Sequence, residues 1–188
     1  MVVRKREIIC EYQPYIDNPP YTGQDLYKQS CSNDEVTVNS WRDTWLKQIK
    51  ENHEFFGPFK EKSIGRLWAS ESLKPVIVVG SGPSLKLNAH ELKDNPGIAV
   101  ISCLHNFHFL EDLGVKVDYY VTLDAGPITI SEVSEGGSRT AEEYWELTKD
   151  RKLLAFIGTH PDLLKKWRGE VLFFNCPLPD ASLMNEIE

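Results

Sequence analysis

Apolar and polar positions follow two regimes along the chain, and the change comes near residue 74. Beyond it, short unbroken apolar runs alternate with segments of helical period. Pro75-Val-Ile-Val-Val79 is apolar throughout and bounded by proline and glycine, the pattern of a strand buried on both faces of a parallel sheet. Ile98 to Ile101, Val117 to Leu123, Leu153 to Ile157 and Val171 to Phe174 repeat it. Between these runs, Leu85 to Lys93, His105 to Leu113, Thr140 to Lys149 and Pro161 to Trp167 read as helices, the second closed by Gly114. The alternation predicts an α/β fold, a parallel sheet flanked by helices with right-handed crossovers.

The first part of the chain lacks that rhythm. Residues 12–27 are dense in proline and tyrosine, which predicts an extended arm rather than a helix or central strand. A helix is expected to follow, capped by Asn39 or Ser40, with Trp41, Trp45, Leu46, Ile49 and Phe56 at helical spacing and Gly57-Pro58 as its end. A second short helix is expected over 61–70, with Ile64, Leu67 and Trp68 on one face. The chain thus divides into an N-terminal aromatic arm and helical extension over 1–72 and a Rossmann-like domain over 73–188. The aromatic side chains of residues 1–70 suit packing on that domain or assembly with a second copy. The stretch from Pro177 to Glu188 has no obvious closing element and reads as a chain cut before further strands.

Composition narrows the function. Hydrophobic residues at 41% and charged residues at 26% are ordinary for a globular chain and argue against disorder or a coiled coil. No apolar run approaches the roughly 20 residues of a membrane helix. No apolar stretch follows Arg4-Lys-Arg6, which argues against a secretory leader and for a cytoplasmic protein. The net charge of −7 falls entirely within residues 71–188. An acidic domain disfavours a nucleic-acid backbone as partner, while a small anionic ligand can still be held by local backbone dipoles. The cysteines at 10, 31, 103 and 176 form no CxxC pair and no zinc spacing, so they read as reduced thiols.

The strongest chemical signal follows the first predicted strand. In Val79-Gly80-Ser81-Gly82-Pro83-Ser84-Leu85, Gly80 suits a tight turn with positive φ, and Gly82 lets a ligand approach the backbone. Pro83 suits the first turn of a helix. Free amides near 82–85, with the Ser81 or Ser84 hydroxyl, can then hold a phosphate at the carboxyl ends of the strands. A P-loop is excluded because no Lys-Ser/Thr follows. A dinucleotide fingerprint fails because Leu85 replaces its third small residue and no acid ends the second strand.

Taken with Ile101-Ser-Cys103 and Val117-Asp-Tyr-Tyr-Val-Thr-Leu-Asp124, the run from Pro75 to Leu85 resembles the MptE-like Rossmann family. That family includes archaeal hydroxymethyl-dihydropterin pyrophosphokinases and the Maf motility-accessory proteins, which are implicated in attaching nonulosonic sugars to flagellin. The GxGPSL turn is also similar to that of bacterial sialyltransferases using CMP-activated sugars, and Cys103 to Phe107 is similar to their nucleotide-contacting segment. The likeness is close over 74 to about 125 and looser to about 177. It implies a transferase that binds a nucleotide or nucleotide-sugar, with glycosyl transfer from a CMP-type donor first. Diphosphate transfer from ATP to a pterin alcohol stands second, and a non-catalytic assembly module third.

On this reading Gly80, Ser81, Gly82, Pro83 and Ser84 cradle phosphate and Asn106 touches the nucleoside. Asp124, ending the third strand, binds Mg²⁺, acts as a base towards the acceptor hydroxyl, or orients the acceptor. The alternative for Asp124 is to cap the turn at Gly126-Pro127. His160, after the fourth strand, is the expected general base, the alternative being a helix start capped by Thr159. His105 is placed to contact phosphate. Arg139, in the Gly-Ser loop 134–139, is either a lid cation or a surface residue, and Asp118 lies at the wrong end of its strand for chemistry.

Overall fold

The computed structural model describes residues 23–71, 74–93 and 97–175. The expected arm up to residue 22 and the segment from Cys176 to Glu188 lie outside the described residues. The chain divides into two compact units at Ser40/Trp41.

Among the described residues five strands form one parallel sheet: β1 (Val76–Val79), β2 (Ala99–Cys103), β3 (Tyr119–Thr122), β4 (Lys152–Phe156) and β5 (Glu170–Phe174). They lie side by side in chain order, with Val79 opposite Ser102, Ser102 opposite Tyr120, Tyr120 opposite Leu153 and Leu153 opposite Val171. The α/β, Rossmann-like architecture expected from the pattern is present. The strands are largely apolar runs, β1 wholly so, as strands of a covered parallel sheet require.

A sheet that advances in one direction through right-handed crossovers receives them all on one face. Burial agrees. Val79, Val100, Tyr120, Leu153, Ala155, Val171 and Phe173 share one face and are buried. On that face Phe107 lies 5.0 Å from the Tyr120 ring and Trp167 lies 6.3 Å from it. The crossovers carry α3 (Leu85–Asn88), α4 (Phe107–Leu113), α5 (Ile128–Ser134), α6 (Ala141–Leu147) and α7 (Pro161–Lys166). Gly114 closes α4 in the left-handed conformation at φ 77°, and Thr140 with Glu143 forms a capping box on α6. Within this core Glu111 accepts two bonds from Arg151, at 2.7 and 2.9 Å, and a third from the Tyr120 hydroxyl at 2.9 Å. Burial, with Glu111 beside it, pushes the Tyr120 phenol up, so it stays a neutral donor.

Four details differ from expectation. The first helix, α1 (Gly23–Phe56), begins well before Asn39 and Ser40, which lie inside it. Gly57, at φ 78°, ends it as expected. Residues 61–70 form no single helix: 3-10 turns cover Phe59–Lys62 and Ile64–Leu67, and one turn of helix, α2 (Trp68–Glu71), follows. Trp68 is 81% exposed and not part of a buried face. Leu85 to Lys93 is split between α3 and a 3-10 turn over Ala89–Leu92. Finally, α5 has no counterpart in the sequence reading. Its Ile128, Thr129, Ile130 and Val133 are β-branched, and such residues are weak helix formers. Packing holds them, since Thr129 and Val133 are fully buried.

Candidate functional site

The carboxyl ends of β1, β2 and β3 bring the predicted residues to one edge of the sheet. Gly80, Ser81, Gly82, Pro83 and Ser84 are all exposed as they cross from β1 to α3. Gly80 does not take positive φ; among the described glycines only Gly57, Gly97, Gly114 and Gly136 do. Its backbone is one that any residue adopts, so the turn itself does not demand glycine. What glycine provides here is room. A Cβ on Gly80 would meet nothing within 4 Å, and one on Gly82 would find Ser84 Oγ at 3.8 Å as its nearest atom. The amides are only partly available: the Leu85 N–H donates to the Gly82 carbonyl at 3.0 Å. With α3 a single turn, its dipole adds little, and the anion-holding groups are the loop amides and hydroxyls. A cavity of about 220 Å³ opens beside the loop, lined by Val79, Gly80, Ser84, Leu85 and Asn88 among others. That volume is below the roughly 300–1,000 Å³ of whole-ligand pockets, and apolar side chains make up most of its lining.

The loop is tied to the end of β2. Ser81 Oγ lies 3.2 Å from Cys103 Sγ. Asn106 is buried, and its Nδ2 donates to Ser102 Oγ at 3.1 Å and to Cys103 Sγ at 3.3 Å. Asn106 therefore acts behind the loop, fixing Ser102 and Cys103. His105, in the turn over Leu104–Asn106, is exposed and pairs through Nδ1 with Glu132 Oε1 of α5 at 3.2 Å.

Asp124 is exposed beyond β3, with Oδ1 accepting the Gly126 N–H at 2.7 Å. This is the turn-capping arrangement, and it also holds the carboxylate at the edge. His160 caps α7, where Thr159 was expected to, and its Nδ1 accepts the Asp162 N–H at 3.3 Å. The accepting nitrogen carries no proton, so in the neutral ring the proton sits on Nε2. In that form His160 donates through Nε2, while its Nδ1 is engaged by the cap of α7.

Two residues of this edge escaped the sequence reading. Gln48 Nε2 donates to the Ala125 carbonyl at 2.9 Å, next to Asp124. Asn52 Nδ2 donates to the carbonyls of Ile157 and Thr159, both at 2.9 Å. Both side chains are buried, so α1 roofs the ends of β3 and β4. The signal was available: two amides four residues apart beside the apolar stripe of Trp45, Ile49 and Phe56. Lys165 of α7 adds a bond to Glu51 at 2.6 Å.

The Gly-Ser loop is pinned to α4, not poised as a lid. Asp112 accepts from the Ser138 N–H at 2.8 Å and the Tyr144 hydroxyl at 2.7 Å, and pairs with Arg139 at 3.3 Å. A Cβ on Gly137 would fall 1.7 Å from the Tyr144 oxygen.

A larger cavity, about 1,030 Å³, lies at the opposite, amino edge of the strands. Lys74, Lys93, Lys116 and Lys152 share it with Glu71, Asp118 and Asp150. Asp118 Oδ2 accepts the Val100 N–H at 2.9 Å, a structural role as expected. Size favours that basin, but its charges are mixed, and the exposed glycine loop lies at the other end of β1. The carboxyl edge is the better candidate, as in other open α/β sheets. Among the described residues no three His, Cys, Asp or Glu side chains group as a metal site. No described helix is long and apolar enough to cross a membrane.

One known family, described as 6-hydroxymethylpterin diphosphokinase MptE-like, matches residues 43–186. No curated protein and no solved structure matches the chain. The family match covers more than half of the sequence, and the chain belongs to the MptE-like family.

Proposed function

We propose that this MptE-like chain is a nucleotide-dependent transferase working at the carboxyl edge of β1 to β3. The observation that carries the reading is the exposed Gly80–Ser84 loop, with open space where a Cβ at Gly80 would sit. The loop amides and the Ser81 and Ser84 hydroxyls would hold the donor's phosphates. Asn106 would set the floor of the nucleoside subsite through Ser102 and Cys103. Asp124, held by the Gly126 amide, would orient the acceptor. Its exposed carboxylate also fits Mg²⁺ shared with substrate phosphates, an arrangement that needs only one or two protein carboxylates; the ion would neutralise diphosphate charge. His160 would donate from Nε2 to a phosphate oxygen. Positioning and charge neutralisation supply most of the catalysis in such transfers.

The family description favours diphosphate transfer from ATP to a pterin alcohol. Glycosyl transfer from a CMP-type donor is the second reading. The contact between Ser81 and Cys103 supports it, because it sets the glycine loop beside the Cys103 to Phe107 segment implied to contact CMP. Melting curves with ATP, CMP, CDP, UDP and GDP, each with and without Mg²⁺, test both. A ligand at 100 times its Kd adds about 2.7 kcal/mol. A Mg²⁺-dependent shift with ATP supports the first reading and a CMP-selective shift the second. No shift with any of them overturns nucleotide binding.

A further inference from the structure

A hydroxyl acceptor needs somewhere to send its proton, and the Nδ1 of His160 is engaged in the cap of α7. His105 and Glu132 supply the arrangement. A carboxylate can only accept, so the 3.2 Å contact between His105 Nδ1 and Glu132 Oε1 requires the proton on Nδ1. In the neutral ring this leaves the lone pair on Nε2, on a side chain 70% exposed. Glu132 is 21% exposed and rooted in α5. With neutral rings, these contacts call for opposite tautomers, His160 presenting a donor and His105 an acceptor. Location separates this pair from an ordinary surface contact, which would contribute little. His105 stands two residues beyond Cys103, whose sulfur touches Ser81 of the phosphate loop.

We propose that His105, oriented by Glu132, is the general base that deprotonates the acceptor hydroxyl. The proposal rests on the transferase reading above. In the diphosphate reaction the acceptor O–H bond breaks and its proton moves to His105 Nε2. The freed oxygen bonds to the β-phosphorus of ATP. The bond from that phosphorus to the oxygen bridging to the α-phosphate breaks, and AMP leaves with the electron pair. Glu132 stabilises the imidazolium as it forms. With a CMP-sugar donor the same proton transfer accompanies attack at the anomeric carbon and departure of CMP.

Long-range proton–nitrogen correlation on the ¹⁵N-labelled full chain reads both tautomers without substrate. His105 is expected as Nδ1–H and His160 as Nε2–H. Glu132→Ala should return His105 to the Nε2–H form that a free imidazole favours. Turnover is followed as AMP released from ATP and Mg²⁺ with reduced 6-hydroxymethylpterin, and as CMP released from a CMP-sugar. His105→Asn is expected to lower kcat at least about 100-fold, with the nucleotide-induced melting shift and the KM for donor unchanged. Glu132→Gln, which preserves the bond but not the charge, should lower kcat about tenfold. An Nε2–H tautomer at His105 in the wild type overturns the proposal, as does full turnover in His105→Asn. A wild-type chain that turns over neither donor overturns the transferase reading and the base with it. An active enzyme indifferent to His105 overturns the base alone.

Discussion

Among the described residues β1 and β5 are the outer strands of the sheet, and they live in opposite surroundings. β5 is sealed. Phe173 is buried against Phe56 and Phe59, at ring distances of 5.3 and 4.9 Å, and Ser63 forms a parallel bridge to it. β1 is open. Val76 is 50% and Val78 75% exposed, although Val-Ile-Val-Val is the most uniformly apolar strand of the five. On the same face, Phe156 of β4 is covered by Trp45 of α1 at 6.0 Å, while Leu123, just past β3, is 59% exposed. The glycine loop hangs from the open edge. The lesson is a division of labour: burial, and with it stability, concentrates at β4 and β5, while the strand that presents the loop contributes little packing and leaves space around it.

The largest expected effect falls on the sealed side. Phe173→Ala removes a fully buried ring and should cost about 3–5 kcal/mol in chemical denaturation. A cost below about 1 kcal/mol would mean that the sealed edge contributes no more than the open one.

Next comes the loop. A Cβ on Gly82 would meet no atom nearer than Ser84 Oγ at 3.8 Å, and the loop is exposed, so the fold should tolerate Gly82→Val. Nucleotide affinity should nevertheless fall about 100-fold, equivalent to about 2.7 kcal/mol, in calorimetric titration. Unchanged affinity would remove the loop from the binding site.

A smaller effect depends on pH. Burial pushes the Asp112 carboxyl up, but the Ser138 amide, the Tyr144 hydroxyl and Arg139 outweigh it and hold the group below its usual range. A carboxyl lowered in the folded state stabilises fully above its unfolded value, near about 4, and loses that contribution as pH falls through the folded one. The Gly-Ser loop should therefore loosen below about pH 4, read as faster amide exchange at Ser138 and Arg139. Asp112→Asn should abolish that pH dependence; persistence of the same acid transition would place its origin elsewhere.

The smallest effect is at β1. Val78→Thr should change stability by no more than about 0.5 kcal/mol. A loss several times larger would show that this face is covered in solution.

Much of this was legible from local pattern. The five apolar runs became strands within two residues of their expected ends, and Gly57 and Gly114 ended helices as glycines with positive φ do. The loop and Asp124 were placed at the carboxyl edge because they directly follow strands, and strand direction fixes which edge that is. Other features depend on contacts that sequence spacing does not encode. The helix carrying Glu132 is made of β-branched residues that only burial holds helical. Asn39 and Ser40 resemble caps whatever precedes them, so local pattern puts the start of α1 too late in the chain.

The chain by itself determined the α/β alternation, the glycine loop and the acidic balance of residues 71–188, because each is written in neighbouring residues. Tertiary structure alone decided which strand lies at which edge, that α1 roofs the ends of β3 and β4, and which groups face each edge histidine. Those outcomes depend on partners far apart in the sequence, such as Asn52 with Thr159 and His105 with Glu132, and no local pattern specifies a partner 107 or 27 residues away.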